Sequence, residues 1–315
     1  MSPLTAAISA SELTKHFSGV VAVDHLSFEV SPGEIFGLVG PDGAGKTTTL
    51  RMLAGVLTPD SGSATVAGVD IVRESESAKP HISYMPQRFG LYEDLTVGEN
   101  IRFYSDVFGV SRTEREQRAR QLLEAAAMSQ FENRLAGKLS GGMKQKLGLV
   151  CALIHRPRVI LLDEPTNGVD PVSRRDFWQI LYSLLGENIA IVMSTAYLDE
   201  AERCHRVALL HQGRILFSDT PSQLKKDLHV AVVAVVSPSP RLVQTLLTNA
   251  EGVLNVVLGG DGVHLVVDDA ERRIPELRRR MVSAALPFQS IEHVAPSIED
   301  LFVAATSSGD GGGEQ

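Results

Sequence analysis

Two glycine-rich segments of this 315-residue chain have the composition of phosphate-binding loops. The first fits the P-loop pattern in full, because its glycines allow a tight turn of backbone N–H groups around an anion and its lysine supplies a cation. It lies between an apolar run and a segment without helix breakers, which predicts a strand, a loop and a helix in that order. The predicted loop consists of Gly40, Pro41, Asp42, Gly43, Ala44, Gly45, Lys46, Thr47 and Thr48.

The second segment, residues 139–146, reads Leu-Ser-Gly-Gly-Met-Lys-Gln-Lys. Unpaired N–H groups at the start of a helix attract phosphate, and a serine hydroxyl adds a donor beside them. One nucleotide cannot easily contact both segments of one chain. Either the two segments bind the same ATP from different subunits, which predicts a dimer, or one of them binds no nucleotide. The residues assigned to this contact are Ser140, Gly141, Gly142 and Gln145.

An apolar run typical of a buried strand ends in two acidic residues, Asp163 and Glu164. We predict that Asp163 binds Mg²⁺ together with Thr47, directly or through water, and that Glu164 polarises the water that attacks ATP. Gln87 follows another strand-like run and is predicted to contact the metal and this water. Together with Lys46, Glu164 and Gln87 form the predicted catalytic set. The alternative is a strand that ends in solvated acids and an ordinary surface glutamine.

Charge and composition exclude several classes of function. The formal net charge is −8 and no basic run covers the predicted core, which argues against a nucleic-acid-binding surface. The longest aliphatic stretch is too short to cross a bilayer, and residues 1–10 lack a signal-peptide pattern. We therefore expect a cytoplasmic protein that reaches the membrane only through partners. Cys151 and Cys204 are expected to be reduced structural thiols.

The order of strand-like and helical runs predicts an α/β fold. Up to about residue 217 the two alternate, which predicts a doubly wound, mostly parallel sheet with a helical insertion at residues 97–155. Beyond residue 220 the order β-α-β-β-α-β predicts a small α+β, ferredoxin-like module at residues 228–305. Residues 306–315 are predicted to be a disordered tail or a linker. The arginines at positions 272, 273, 278, 279 and 280 are interpreted as a solvated helix face.

In their order along the chain, these motifs resemble the ATP-binding cassette family, specifically the ATPase subunits of drug and antibiotic exporters, over residues 5–225. The resemblance implies a P-loop NTPase with an antiparallel β subdomain and a helical lid at about residues 88–155. It implies that Phe17 stacks on adenine, with a core aromatic as the alternative, and that Asp170 belongs to the D-loop. It also implies that transmembrane permease subunits dock near residues 87–108, on the cytoplasmic face of the cell membrane.

The predicted function is ATP-driven dimerisation of two cassettes, identical or homologous, followed by hydrolysis that powers an exporter through separate membrane subunits. One alternative is a soluble, non-transport member of the family that acts as a clamp on a ribosome or on DNA. The acidic balance disfavours that alternative. Another is a subunit that binds nucleotide with little turnover of its own.

Two residues depart from the family pattern. Asp42 stands where asparagine is usual, and because a carboxylate would repel nearby phosphates, we expect it to point to solvent. Ala196 stands where the family has a switch histidine that bonds the γ-phosphate, and a charge-assisted bond of that kind contributes about 1.5–3 kcal/mol. Three explanations are open: slow hydrolysis with Glu164 alone, an asymmetric pair with a cassette that has the histidine, or an engineered substitution.

Overall fold

The computed structural model describes residues 6–88, 90–227, 231–258 and 262–309 of the chain. The chain forms two units: the first extends to Tyr197 and includes Cys204–Ile215, and the second includes Leu198–Arg203 and the chain from Leu216 onward. The second unit thus begins before residue 220, beyond which the sequence pattern changes, and before residue 225, where the resemblance to the family ends. The predicted start of the C-terminal module, at residue 228, lies outside the described residues.

Strands and helices alternate along most of the described chain. The strands are β1 (Ile8–Phe17), β2 (Val20–Val30), β3 (Ile35–Val39), β4 (Ser61–Val66), β5 (Val69–Asp70), β6 (Ile82–Met85), β7 (Val159–Asp163), β8 (Ala190–Thr195), β9 (Arg206–His211), β10 (Arg214–Asp219), β11 (Ala231–Val236), β12 (Val253–Leu258), β13 (Gly262–Val267) and β14 (Ser290–Val294). The helices are α1 (Lys46–Leu53), α2 (Ser75–Ala78), α3 (Val97–Val107), α4 (Arg112–Ala125), α5 (Gly141–Leu153), α6 (Pro171–Leu184), α7 (Leu198–Ala201), α8 (Pro221–Asp227), α9 (Pro240–Leu247), α10 (Ala270–Ser283) and α11 (Ile298–Gly309). Short 3₁₀ helices occur at Lys79–His81, Ser129–Phe131, Ala136–Lys138 and Leu185–Glu187.

The central sheet has the strand order β10-β9-β3-β8-β7-β6, and its pairs β9/β3, β3/β8, β8/β7 and β7/β6 are parallel. Every residue of β3, β7 and β8 is buried, as expected for parallel strands covered on both faces. Because these strands end at the same edge of the sheet, the P-loop after β3 and the acidic residues at the end of β7 lie close together. The predicted mostly parallel α/β fold is confirmed.

A second sheet of the first unit is antiparallel, with the order β2-β1-β4-β5. Its inward-facing residues, among them Ile8, Leu13 and Phe28, share one hydrophobic core with the central sheet. Phe28 stacks on Phe36 of β3 with the ring centroids 5.1 Å apart. Burial of this face against the central sheet stabilises the position of the β1–β2 hairpin, which carries Phe17.

Three helices occupy the range in which the sequence indicates a lid. α3 and α4 each begin with a capping box, formed by Thr96 with Glu99 and by Ser111 with Glu114. These side chains satisfy backbone N–H groups at the helix starts, so both helices begin at defined residues. α5 begins at Gly141 and is largely buried, which anchors the segment that carries the second glycine-rich motif.

The second unit contains a four-stranded antiparallel sheet with the order β12-β13-β11-β14. With α9 and α10 it has the order β-α-β-β-α-β that the sequence indicates. Alternate residues of β11 and β13, such as Val233, Val235 and Leu265, form one hydrophobic core with residues of α9 and α10. This unit therefore has a core of its own.

The interpretation of the five arginines as a solvated face is wrong for Arg273. Its side chain is only 4% exposed, and it donates hydrogen bonds to Asp268 at 2.7 and 2.8 Å and to Glu276 at 2.6 Å. These carboxylates offset the cost of removing the guanidinium from water. The hydrogen bonds from the Arg273 guanidinium in turn lower the pKa of Asp268 to about 2.

The predicted disordered tail is wrong for its first residues. α11 extends to Gly309, so residues 306–309 are helical. Ile298 and Leu301 of this helix are fully or almost fully buried, and tertiary contacts of this kind stabilise short helices that are marginal alone. The rest of the predicted tail, residues 310–315, lies outside the described residues.

Two findings bear on the expectations from composition. Cys151 and Cys204 are both buried, and burial raises the pKa of the Cys151 thiol. Neither is therefore placed to react as an exposed thiolate. Within the described ranges, no helix is both long enough and apolar enough to cross a lipid bilayer.

Candidate nucleotide site

A cleft of about 390 Å³ lies at the edge of the central sheet where the parallel strands end. Residues from four separate parts of the sequence line it, and half of the predicted site residues are among them. The lining residues are Ala22, Asp42, Gly43, Ala44, Gly45, Lys46, Thr47, Thr48, Gln87 and Glu164. The cleft thus combines a cation, a hydroxyl, an amide and a carboxylate, which is the set of groups needed to bind a phosphate and activate water.

The P-loop is closely packed against its surroundings. Gly45 has φ +102°, and a Cβ atom there would lie 2.4 Å from the carbonyl oxygen of Ala22. A Cβ atom on Gly40 would lie 2.3 Å from the carbonyl oxygen of Leu210. Both positions therefore require glycine, because backbone atoms cannot move aside cheaply. Asp42 is exposed and is also among the residues that line the cleft, so the direction of its carboxylate stays a prediction.

The Lys46 ammonium lies inside the cleft. Its Nζ donates to the carbonyl oxygens of Gly40 at 2.8 Å and Pro41 at 3.0 Å, and it lies 3.3 Å from Oε1 of Glu164. The side chain is 4% exposed, so this cation is largely removed from water. A buried cation beside backbone N–H groups attracts phosphate oxygens strongly, because the local dielectric is low.

Asp163 is bound by three hydroxyl groups. Oδ1 accepts from Thr47 at 2.9 Å and from Ser194 at 2.7 Å, and Oδ2 accepts from the hydroxyl of Tyr84 at 3.3 Å. Burial, followed by the nearby Asp163 carboxylate, raises the pKa of Tyr84, so this phenol stays a donor. The hydroxyl of Thr47 and the carboxylate of Asp163 are adjacent hard oxygen donors, a chemistry that fits Mg²⁺.

Glu164 follows β7 and has a left-handed backbone, with φ 46°. Its N–H donates to Oγ and to the carbonyl oxygen of Ser194, at 2.9 and 3.2 Å, which fixes this unusual conformation. The carboxylate Oε2 accepts from Nε2 of Gln87 at 3.0 Å and from Nδ2 of Asn167 at 3.2 Å. Glu164 and Gln87, predicted from separate motifs, are thus in direct contact.

Three contacts at the site were not predicted, namely those of Tyr84, Ser194 and Asn167. Ser194 pairs with Asp163 across the parallel strands β8 and β7. Tyr84 lies on β6, the neighbour of β7 on the other side. The strand order supplies these partners, and a single sequence does not contain it. Asn167 was detectable, because it follows Glu164 within one turn.

The second glycine-rich segment does not line this cleft. Among the described residues that line the cleft, Phe17 and Asp170 do not appear either. Ser140 is the N-cap of α5, and its hydroxyl accepts from the N–H of Met143 at 3.3 Å. Asp170 is likewise the N-cap of α6, and its bond from the N–H of Ser173 holds the pKa of that carboxyl below its usual value. Phe17 is 46% exposed, so its ring is accessible.

The starts of α5 and α6 are packed together through Gly142. A Cβ atom on Gly142 would lie 2.4 Å from both Cβ and Oγ of Ser173, whereas one on Gly141 would meet nothing within 4 Å. Gly142→Ala is therefore expected to lower the free energy of unfolding by about 1–3 kcal/mol through overpacking. Gly141→Ala, the matched control, should change it by less than about 1 kcal/mol in either direction. Urea unfolding measures both, and equal values for the two variants would contradict the close contact.

Ala196 is exposed, directly after β8. The next two histidines after Ala196 in the sequence are His205 and His211. His205 is occupied elsewhere, since its Nδ1 accepts from the N–H of Ile35 at 3.1 Å, at the start of β3 rather than at the P-loop end. His211 ends β9. The polar side chain that follows Ala196 is Tyr197, whose hydroxyl lies 3.3 Å from Oδ1 of Asn167.

Comparison with known proteins agrees with this geometry. A family model described as ABC transporter matches residues 23–167. The chain is 44% identical over 303 residues to the probable multidrug ABC transporter ATP-binding protein YbhF of Escherichia coli (strain K12), covering 95% of this chain. That alignment covers 52% of YbhF, so this chain spans about half the length of that relative.

Two further similarities extend over most of both partners. The chain is 36% identical over 303 residues to the Nod factor export ATP-binding protein I of Paraburkholderia xenovorans (strain LB400), covering 96% of this chain and 97% of that protein. The solved structure of an ATP binding subunit of an ABC transporter has a TM-score of 0.64 and 28% identity, covering 70% of this chain and 92% of that one. By its sequence and its fold, the chain belongs to the ATP-binding proteins of the ABC transporter family.

Proposed function

We propose that this chain binds and hydrolyses ATP as a subunit of an ABC exporter and couples the reaction to transport through separate membrane subunits. The observation that carries the proposal is the single cleft in which the P-loop, Lys46, Thr47, Gln87 and Glu164 meet. These groups come from distant parts of the sequence. Their convergence on one cleft supports a role in nucleotide chemistry more strongly than any one motif does.

Each residue of the cleft has a role that follows from its position. The P-loop N–H groups and Lys46 hold the phosphates, and they supply the electrostatic stabilisation of the charge that develops on them. Glu164 accepts a proton from the attacking water, because it is the carboxylate that faces Lys46 in the cleft. Gln87 holds this carboxylate through its amide. Phe17, exposed on the β1–β2 hairpin, stacks on the adenine.

Thr47 and Asp163 are the residues that would hold Mg²⁺, with Gln87 as a further contact. The described residues contain no group of three His, Cys, Asp or Glu side chains that could hold a metal by themselves, so nucleotide oxygens are expected to complete the ligands. When bound, Mg²⁺ supplies positive charge that offsets the charge of the phosphate oxygens. Ser194 and Tyr84 orient Asp163 for this purpose through their hydroxyl groups.

The second glycine-rich segment is proposed to bind the ATP of a second cassette. Ser140, Gly141, Gly142 and Gln145 lie outside the cleft that contains Lys46. The start of α5 nevertheless carries unpaired N–H groups and an exposed serine, which suit a phosphate presented by another chain. ATP would therefore hold two chains together, with Asp170 at the same surface, and hydrolysis would let them separate.

The transport role rests on the relatives. One has a name that describes it as a multidrug transporter subunit, and another as a subunit for Nod factor export. We propose that permease subunits dock on the lid near residues 87–108 and hold this chain at the cytoplasmic face of the membrane. Closure of the two cassettes would then move the membrane subunits through the lid.

A second candidate function is favoured by Ala196. Without an imidazole at this position, the cleft keeps its phosphate-binding groups but loses one group that would hold the γ-phosphate and the water. Such a site is expected to bind ATP well and hydrolyse it slowly. The chain would then be the binding half of an asymmetric pair, in which a homologous cassette performs most of the turnover.

Nucleotide binding is the first test of either candidate. Lys46→Ala is expected to weaken ATP binding by about tenfold, because it removes charge-assisted bonds to the phosphates. Lys138→Ala, at an exposed lysine, is the matched control. Titration of a fluorescent ATP analogue, with unfolding checked in parallel, measures the affinities. Equal affinities of the two variants, or no binding by the unmodified chain, would contradict the proposed function.

A further inference from the structure

We propose that Tyr197 and Asn167 are positioning residues that orient the Glu164 carboxylate. The proposal rests on the proposed function and concerns the same site. It assigns a role to two side chains that lie beside the cleft rather than in its lining. Together they form a hydrogen-bonded connection between the loop that carries Ala196 and the group that activates water.

The first step of the connection runs from Glu164 to Asn167. Nδ2 of Asn167 donates to Oε2 of Glu164 at 3.2 Å, and the N–H of Asn167 donates to the carbonyl oxygen of Glu164 at 3.1 Å. The backbone bond holds Asn167 in a fixed position relative to Glu164. The side-chain bond therefore limits both the position and the rotation of the Glu164 carboxylate.

The second step runs from Asn167 to Tyr197. The hydroxyl of Tyr197 donates to Oδ1 of Asn167 at 3.3 Å. Because Nδ2 of this amide faces a carboxylate, which only accepts, its Oδ1 must face a donor, and the tyrosine hydroxyl supplies one. Both contacts thus require the same orientation of the Asn167 amide.

Tyr197 is itself held by two contacts, one to its ring and one to its backbone. The Cζ atom of Arg174, on α6, lies 4.5 Å from the ring centroid, a cation–π contact. The N–H of Tyr197 donates to Oγ1 of Thr195, the last residue of β8, at 2.9 Å. These two contacts hold the side chain and backbone of Tyr197 in place, so its hydroxyl has a defined position, as a positioning residue requires.

The substitution at position 196 gives this connection its importance. Alanine has no polar side chain, so Ala196 offers the site no hydrogen bond from that side chain. Gln87 on one side and Asn167 on the other are the amides that hold Oε2 of Glu164. The loop after β8 contacts the carboxylate through Tyr197 and Asn167, and this route is independent of residue 196.

Tyr197→Phe and Asn167→Leu test the proposal by steady-state ATP turnover. The phenylalanine keeps the ring over Arg174 and removes only the hydroxyl, so we expect kcat to fall about two- to tenfold with KM for ATP unchanged. Asn167→Leu removes both bonds and should lower kcat by about tenfold. Because the hydroxyl acts through Asn167, the double variant should be no slower than Asn167→Leu. The matched control is Tyr182→Phe, at an exposed tyrosine whose ring lies 5.7 Å from Trp178.

Two results would overturn the proposal: effects of the two substitutions that multiply, or a Tyr197→Phe variant that behaves like Tyr182→Phe. The same variants are also made in the Ala196→His background, in case the unmodified chain turns over too slowly. If ATP binds but neither background hydrolyses it, the proposed hydrolysis fails separately. The connection is then judged from the side-chain amide resonances of Asn167, which must shift with Tyr197→Phe and not with Tyr182→Phe.

Discussion

Glu164→Gln is expected to lower the rate of ATP turnover by about 10²–10⁴-fold, the contribution of a general base, while ATP still binds. Glutamine has the same shape, but its amide cannot accept a proton from water at neutral pH. The P-loop and Lys46 remain, and they supply most of the binding energy. Loss of the negative charge beside Lys46 also leaves that cation more available to phosphate. Single-turnover hydrolysis with excess protein measures the rate even if the unmodified chain is slow.

The control for this substitution is Glu124→Gln, which removes a carboxylate from an exposed position on α4. It should leave both turnover and binding unchanged. A Glu164→Gln variant that keeps more than about a tenth of the turnover would contradict the role of Glu164 as the base. Loss of ATP binding in the same variant would instead show that the carboxylate supports the shape of the cleft.

The parts of the fold that were predictable depend on local sequence. β3, β7 and β8 consist mainly of apolar residues, and β7 and β8 end in acidic or polar residues. The P-loop was predictable because Gly43 and Gly45 have φ values of +80° and +102°, a local backbone conformation that favours glycine. These features need no knowledge of which strand lies next to which.

The site contacts that could not be predicted depend on strand order. Ser194 reaches Asp163 only because β8 lies beside β7 in parallel register, and Tyr84 does so from β6. Ser194 and Tyr84 are 31 and 79 residues away from Asp163 in sequence. A hydrogen bond over such a separation leaves no periodic signal in one chain. For the same reason the link between Tyr197 and Asn167 was not anticipated.

Two predictions for the second unit were wrong, one for Arg273 and one for the start of the tail. Arg273 lies on a helix whose charged pattern is typical of a solvated face, yet Asp268 and Glu276 draw it inward. α11 contains serine, threonine and glycine near its end, which favour a tail, but its start is anchored by Ile298 and Leu301. In α11 tertiary contacts thus override local preference, whereas both partners of Arg273 lie within five residues of it in the sequence.

Ala196→His is expected to raise the rate of ATP turnover by about ten- to a hundredfold, because it adds a charge-assisted hydrogen bond of about 1.5–3 kcal/mol at the γ-phosphate. The fixed position of the loop supports this expectation. On one side Ser194 bonds Asp163, and on the other Tyr197 bonds Asn167, so residue 196 lies between two contacts to the site. An imidazole at position 196 would therefore be attached to a backbone that these two contacts already hold in place. ATP affinity should change less, since the P-loop and Lys46 are unaltered.

Magnesium-dependent turnover of the purified chain, measured beside Ala196→His, decides between the two candidate functions. Ala284→His, at an exposed alanine after α10, controls for the addition of a histidine elsewhere. If the unmodified chain binds ATP, turns over slowly and gains at least about tenfold with Ala196→His but not with Ala284→His, it is the binding half of an asymmetric pair. If it turns over fast and the substitution changes little, Glu164 and its amide partners suffice for hydrolysis. Two identical chains would then form a complete motor, and the missing histidine would have no bearing on the transport cycle.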